Sequence, residues 1–252
     1  MDLKPMMQLQ IFRLFKAALI FWLALLLSAC LTNEELANIT LGQATISGVI
    51  TDDATGTAIE DVTITAIDPS ASLSYDPVTT DASGNYSITI NRNTPLYFRL
   101  QKTTGYPTLN NALDSYVADI TDKDIALFTT ERAQDVITRA FAFNPSLAGW
   151  SWLFVDVVLS NGEDSSGITI TASDASGALI DATVTNCDGT NSGDVVTIAC
   201  TGNDTRDGPM FIAYYDEDTD ITVEISGARN AEQSAPVRIG QITYVKFELS
   251  TL

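Results

Sequence analysis

The chain has 252 residues, 13 Lys plus Arg against 32 Asp plus Glu, and a formal charge of −19 at pH 7. That balance excludes a partner held through nucleic-acid phosphates and argues against charge-driven docking on anionic lipid headgroups, while favouring solubility and some affinity for cations. There is no histidine, so the usual general base and the commonest transition-metal ligand are missing, and only carboxylate chemistry of the glycosidase kind stays open to an enzyme.

The first segment carries Lys4, Arg13 and Lys16, then an apolar run of 13 residues over 17–29. A cationic start, a short apolar stretch and small residues ahead of a cut site make a secretory signal. A membrane-spanning helix needs roughly 20 apolar residues, so an uncleaved anchor fits this length less well. The run Leu27-Ser28-Ala29-Cys30 resembles the lipobox of bacterial lipoproteins. The resemblance implies a signal peptide over residues 1–29 and a Cys30 that becomes the lipidated (palmitate-bearing) first residue of the mature chain. Leu31, not Asp, follows it, which by the same resemblance implies the outer membrane. Cleavage removes Asp2, Lys4, Arg13 and Lys16 and takes the charge from −19 to −21. Residues 30–43 then form a flexible tether.

With Cys30 assigned to lipid, Cys187 and Cys200 remain. In an oxidising, exported compartment two leftover thiols read as a disulfide, worth on the order of 3 kcal/mol for so short a loop. Their spacing is not the Cys-x-x-Cys of a redox pair.

From Ala44 onward short Val, Ile, Thr and Tyr runs alternate with Gly, Asp, Asn and Ser clusters, the texture of β-strands and turns. Residues 44–50, 61–66, 86–90 and 96–100 are strand candidates, with turns at 52–56 and 80–84. Val62, Ile64 and Ala66 fall on one face. Gly48, Asp52, Thr55-Gly56, Ile59, Asp61-Val62, Ile64, Thr80-Asp81, Gly84, Tyr86 and Thr104-Gly105-Tyr106 together resemble the carboxypeptidase regulatory-like domain. Over residues 44–106 the resemblance implies a transthyretin-like β-sandwich, a carbohydrate-binding-like fold, and is poor for function. Family members usually carry Gly-Ala where this chain has Asp61-Val62. If that position is left-handed, Asp tolerates it better than most residues.

A second copy is expected 106 residues later. Thr55-Gly56 and Asp61 to Ile64 align with Asn161-Gly162 and Gly167 to Ile170, and Ser47 to Asp52 with Leu153 to Val158. Gly84 falls loosely over Gly208. A rival register places Asp53 to Gly56 over Asp174 to Gly177, but needs a gap soon after. Between the copies, over 107–148, lies a connecting segment with a helix near 130–142. Thr130 can cap it, Glu131 sits in the first turn, and Ala133, Val136, Ile137, Ala140 and Phe141 form one apolar stripe. That stripe reads as core packing rather than partner binding. The second sandwich spans 149–252 and ends in two strands joined at Gly240, with a bulge or terminus near Phe247.

Three sets of residues are candidates for chemistry. Asp216, Asp218 and Asp220, with Glu217 among them, could hold a structural Ca²⁺ through hard oxygens, though most acidic turns are only solvated. Asp188, Asp204 and Asp207 could form a second such loop. Trp150 and Trp152 share a strand face and could stack on a sugar ring, or pack as core against the helix. Tyr214 and Tyr215 cannot both face inward on one strand, so one of them is expected to be exposed or at an interface. No phosphate-binding loop, nucleophile motif or cofactor motif is present, and the zinc ligands of the peptidase such domains accompany are missing. The expectation is an all-β protein of two tandem β-sandwich modules, not an enzyme, acting as an accessory, binding or structural module of the cell envelope. A carbohydrate-binding surface lipoprotein is the alternative, and a carboxylate-only glycosidase the second. The expected partners are the membrane, through lipid at Cys30, and an unidentified envelope protein or glycan; nucleic acid is excluded.

Overall fold

The computed structural model describes residues 42–70, 72–141, 145–159, 168–174, 179–185, 195–199, 210–227 and 230–249. Residues from Ala44 onward form one compact unit. The expected strands are present, because alternation gives each a face to bury. β1 (Gln43–Asp52) alternates strictly and buries Ala44, Ile46, Ile50 and Asp52. β2 (Thr63–Ile67) buries Ile64 and Ala66, and β4 (Asn85–Asn91) buries Tyr86, Ile88 and Ile90. β3 (Val78–Thr79), β5 (Tyr97–Gln101), β6 (Thr108–Asn111) and β7 (Ile125–Leu127) complete the first half. The second half holds β8 (Ser151–Leu159), β9 (Thr169–Asp174), β10 (Leu179–Thr185), β11 (Val195–Ala199), β12 (Met210–Tyr215), β13 (Thr219–Ser226), β14 (Ala231–Val237) and β15 (Gln241–Leu249).

The described residues form three sheets, with orders β4-β1-β7, β10-β12-β8-β15-β6-β5-β2-β3 and β11-β9-β13-β14. The two halves repeat one topology. In the first, β1 lies between β4 and a parallel β7; in the second, β8 lies between β12 and a parallel β15. Facing them are β3-β2-β5-β6 and β11-β9-β13-β14, with every pair antiparallel. β10 is the extra strand. β2 and β9 begin at Thr63 and Thr169, the offset of the gapless register. The rival register would match Asp174 to the turn after β1, yet Asp174 closes β9.

The modules are fused, not strung together. β15 pairs in parallel with β6 on one side and β8 on the other, so half of each sandwich belongs to one eight-stranded sheet. Residues 107–148, read from sequence as a connection, supply β6 to that sheet, β7 to the small one and a helix to the core. Their strands carry too few apolar residues in alternation to announce themselves, Leu109 being the only buried hydrophobic residue of β6.

This stacking buries the middle of the long sheet on both faces. Trp152, Phe154, Ile212, Tyr214 and Ile242 join the first core, while Leu153, Val155, Phe211, Ala213, Tyr215 and Val245 join the second. Strands covered on both sides lose alternation, as in sheets with two covered faces. That corrects two expectations. Tyr214 and Tyr215 are both buried, at 2% and 0% exposure. The broken alternation near Phe247 is not a bulge, since β15 runs in unbroken register with β8 from Ile242 to Leu249.

The helix α1 (Thr130–Ala140) is capped by Thr129, not Thr130. The Thr129 Oγ1 accepts from the Arg132 N–H at 3.1 Å, and Glu131 sits in the first turn. Ala133 and Ile137 are fully buried and Phe141 nearly so, with Val136 and Ala140 packed beside them on the first core. The stripe is therefore core.

Candidate functional site

Most residues of the sequence motif hold the backbone. Asp52 ends β1, and its Oδ1 accepts from the N–H groups of Ala54 (3.0 Å) and Thr55 (2.9 Å) and from the Thr55 hydroxyl (2.9 Å). Its Oδ2 accepts from the Tyr106 hydroxyl at 3.0 Å, which ties the turn to a segment 54 residues later. Burial pushes the Asp52 carboxyl up, but the bonds from Thr55, Tyr106 and Ala54 outweigh it and hold the pKa below the ordinary aspartate range. A carboxyl lowered in the fold stabilises above its unfolded value, about 3.9, and loses that contribution as pH falls through the folded one. Asp52→Asn should therefore cost about 1–3 kcal/mol at pH 7 and progressively less below about pH 4. Urea unfolding of both proteins at pH 7 and pH 3 checks this, and an equal deficit at both would contradict it.

Thr80 Oγ1 donates to the Ile59 carbonyl at 2.8 Å and accepts from the Val62 N–H at 2.9 Å. Asp81 Oδ1 accepts from the N–H groups of Ser83 and Asn85, both at 2.9 Å. Hydrogen bonds from the Asn85 side chain and backbone hold the Asp81 pKa down. Tyr86 donates to the Lys123 carbonyl at 2.6 Å. Asp61 has φ 58°, so this position is left-handed.

The stacking platform is corrected. Trp152 has 0% exposure, its indole donates to the Leu147 carbonyl at 3.2 Å, and Phe141 and Tyr214 lie 6.0 and 5.4 Å from its ring. No face remains for a sugar. Trp150 is half-buried against the same core, edge-to-face with Tyr214 at 5.2 Å.

The calcium reading of Asp216, Asp218 and Asp220 is also corrected. Asp218 Oδ1 accepts from the Ile239 N–H and Asp220 Oδ1 pairs with Arg238, both at 2.7 Å. These acids clamp the turn between β14 and β15 instead of converging. Among the described residues no group of three or more His, Cys, Asp or Glu is placed to hold a metal ion. Cys30, Cys187 and Cys200, with Asp188, Asp204 and Asp207, lie outside the described residues. Among the described residues no helix is long and apolar enough to cross a membrane.

What the sequence did not announce is a cleft of about 620 Å³ beside the β6–β15 seam. Asp122 and Ala126, Gln233, and Tyr244, Lys246 and Glu248 line it from β7 and its approach, β14 and β15. Acids outnumber lysines there: Lys123 pairs with Asp114 (3.6 Å), Lys246 with Glu248 (2.6 Å), and Asp124 accepts from the Val49 N–H (2.8 Å). Hydrogen bonding and charge from Lys246 hold the Glu248 pKa down, the opposite of what a glycosidase acid needs. Nothing but its place between two sandwiches, formed by residues over 100 positions apart, could have revealed it.

Fold and site together define an all-β protein of β-sandwich modules. No protein-family model and no curated protein matches the chain. Among solved structures it is similar to the minor pilin GBS52 of Streptococcus agalactiae, at 11% identity over 83% of this chain and 96% of that one, TM-score 0.27. It is similar to a candidate carbohydrate binding protein from Bacteroides uniformis at 13% identity over 77% and 96%, TM-score 0.27. It is similar to the TIE protein of Bacillus anthracis at 9% identity over 82% of this chain, TM-score 0.28, and spans about a third (34%) of that protein's length.

Proposed function

We propose that the chain is a non-catalytic structural or binding module of the bacterial cell envelope, held by lipid at Cys30 at the outer membrane. One observation carries the non-catalytic reading: the polar residues of its motif, Asp52, Thr80, Asp81, Tyr86 and Tyr106, are bonded to the chain's own backbone and turns. The lipobox over residues 27–30 supports the location. A lipid anchor with an acidic, soluble body suits a protein that presents a surface instead of transforming a substrate. The carbohydrate reading is left without its stacking platform once Trp152 is core.

Two measurements test export and anchoring together. Cys30→Ala should release the protein from membranes into the soluble fraction; continued membrane association would mean an uncleaved helix. Intact mass after alkylation without reductant should show Cys187 and Cys200 unmodified and joined. Two alkylated thiols would count against an oxidising compartment.

A further inference from the structure

The cleft lies where the long sheet is missing a strand. β6 accompanies β15 only from Gln241 to Tyr244 and ends at Asn111. Past that point the chain turns away, and the Leu113 N–H bonds to the Ser234 carbonyl at 2.8 Å. β15 continues to Leu249 with β8 as its sole strand partner among the described residues, so within them residues 245–249 have an open edge along the line β6 would have followed. Across the cleft β7 is also an edge, paired among the described residues only with β1. The Leu127 carbonyl is turned to β1, where it accepts from the Asp53 N–H at 3.0 Å. Strand alternation therefore turns the Ala126 N–H and C=O away from β1, and Ala126 lines the cleft. Two unpaired strand edges thus border one groove, and open edges are templates for added strands.

The charges select the added strand. Asp114, Asp122, Asp124 and Glu248 line the cleft against Lys123 and Lys246, and both lysines are already in ion pairs. Among the described residues no side chain or backbone group bonds or pairs with the Asp122 carboxylate, which lines the cleft. The whole chain, at −19, offers no compensating field. We propose that this cleft binds an extended, basic peptide segment of a partner protein, which adds as a strand beside residues 245–249 of β15 under the edge of β7. Main-chain bonds to the open edges give the affinity, and the carboxylates give the preference for Lys and Arg. The proposal deepens the binding-module reading, and membrane anchoring through Cys30 is measured separately, so either can fail alone.

Three blocked hexapeptides test it on the detergent-solubilised full protein: alternating Lys-Val, alternating Glu-Val, and Lys-Val with alternate backbone nitrogens methylated. Fluorescence anisotropy should show the Lys-Val peptide binding about tenfold or more tightly than either control, since methylation removes main-chain donors without touching charge. Hydrogen exchange should slow at residues 122–127 and 245–249 in its presence. Asp122→Lys, an exposed change, should weaken binding about threefold with unchanged thermal stability. Equal binding of the methylated peptide would reduce the interaction to charge adsorption and overturn the proposal. So would equal binding of the Glu-Val peptide, protection elsewhere, or no binding up to about 1 mM.

Discussion

Gly48→Ala should destabilise the protein by about 3 kcal/mol or more, among the largest effects of any single methyl added to this chain. A Cβ at Gly48 would stand 2.3 Å from the Lys123 carbonyl oxygen and 2.5 Å from its carbon. Both are backbone atoms, so no side chain can swing aside. The contact is fixed from several directions: Lys123 donates to the Ser47 carbonyl at 3.0 Å, Ser47 donates to the Ile120 carbonyl at 2.8 Å, and Tyr86 holds the Lys123 carbonyl. Relief would require peeling the segment before β7 off β1. Gly56→Ala is the matched control. It has open space but φ +67°, so it costs only the left-handed penalty of about 1 kcal/mol. Urea unfolding of the two variants decides it, and a Gly48→Ala deficit no larger than that of Gly56→Ala would show that the approach relaxes.

Trp152→Ala should cost about 3–5 kcal/mol and should melt both sandwiches together. Trp152 stands on β8, a strand of the second topological copy, yet its ring lies in the first core against Phe141 of the helix end and Tyr214 of β12. Truncation leaves a large void, and the Leu147 carbonyl loses its donor. Because the neighbouring Leu153 and Val155 face the second core, a loosened β8 carries the loss to both. Calorimetry should show one transition at a lower temperature. Two transitions, the earlier confined to residues after 149, would mean that the sheet does not couple the halves.

The first sandwich was legible because its signals are local. Val62, Ile64 and Ala66 alternate, Asp52 to Gly56 and Thr80 to Gly84 are turn sequences, and all four of β1, β2, β4 and β5 formed within a few residues of their expected bounds. At Asp61 it was the resemblance that raised a left-handed backbone, and chemistry only permitted it, since Asp enters that region more readily than most residues. The repeat was legible at β2 and β9, where the Ile64 and Ile170 positions coincide. What stayed hidden were the non-local features. Thr108–Asn111 looks polar because Asn110 and Asn111 occupy a strand whose partners come from both halves. Asn110 bonds Gln241 at 2.8 Å, a residue 131 positions away. Trp152 and the Tyr214–Tyr215 pair were ambiguous for the same reason: a sequence does not say that a second layer will cover the outer face. The cleft is the remainder of that same junction.

The seam also orders the birth of the fold. β6 must wait for β15, about 130 residues downstream, before its outer edge is covered. During synthesis the first half is therefore a nearly finished sandwich with one bare inner strand, and β8 likewise lacks its parallel neighbour. Such edges invite pairing with other nascent chains. β15 thus works as a keystone in time as well as in space: until residues 241–249 arrive, neither half is closed, and a chain stalled short of them leaves the edges of β6 and β8 bare.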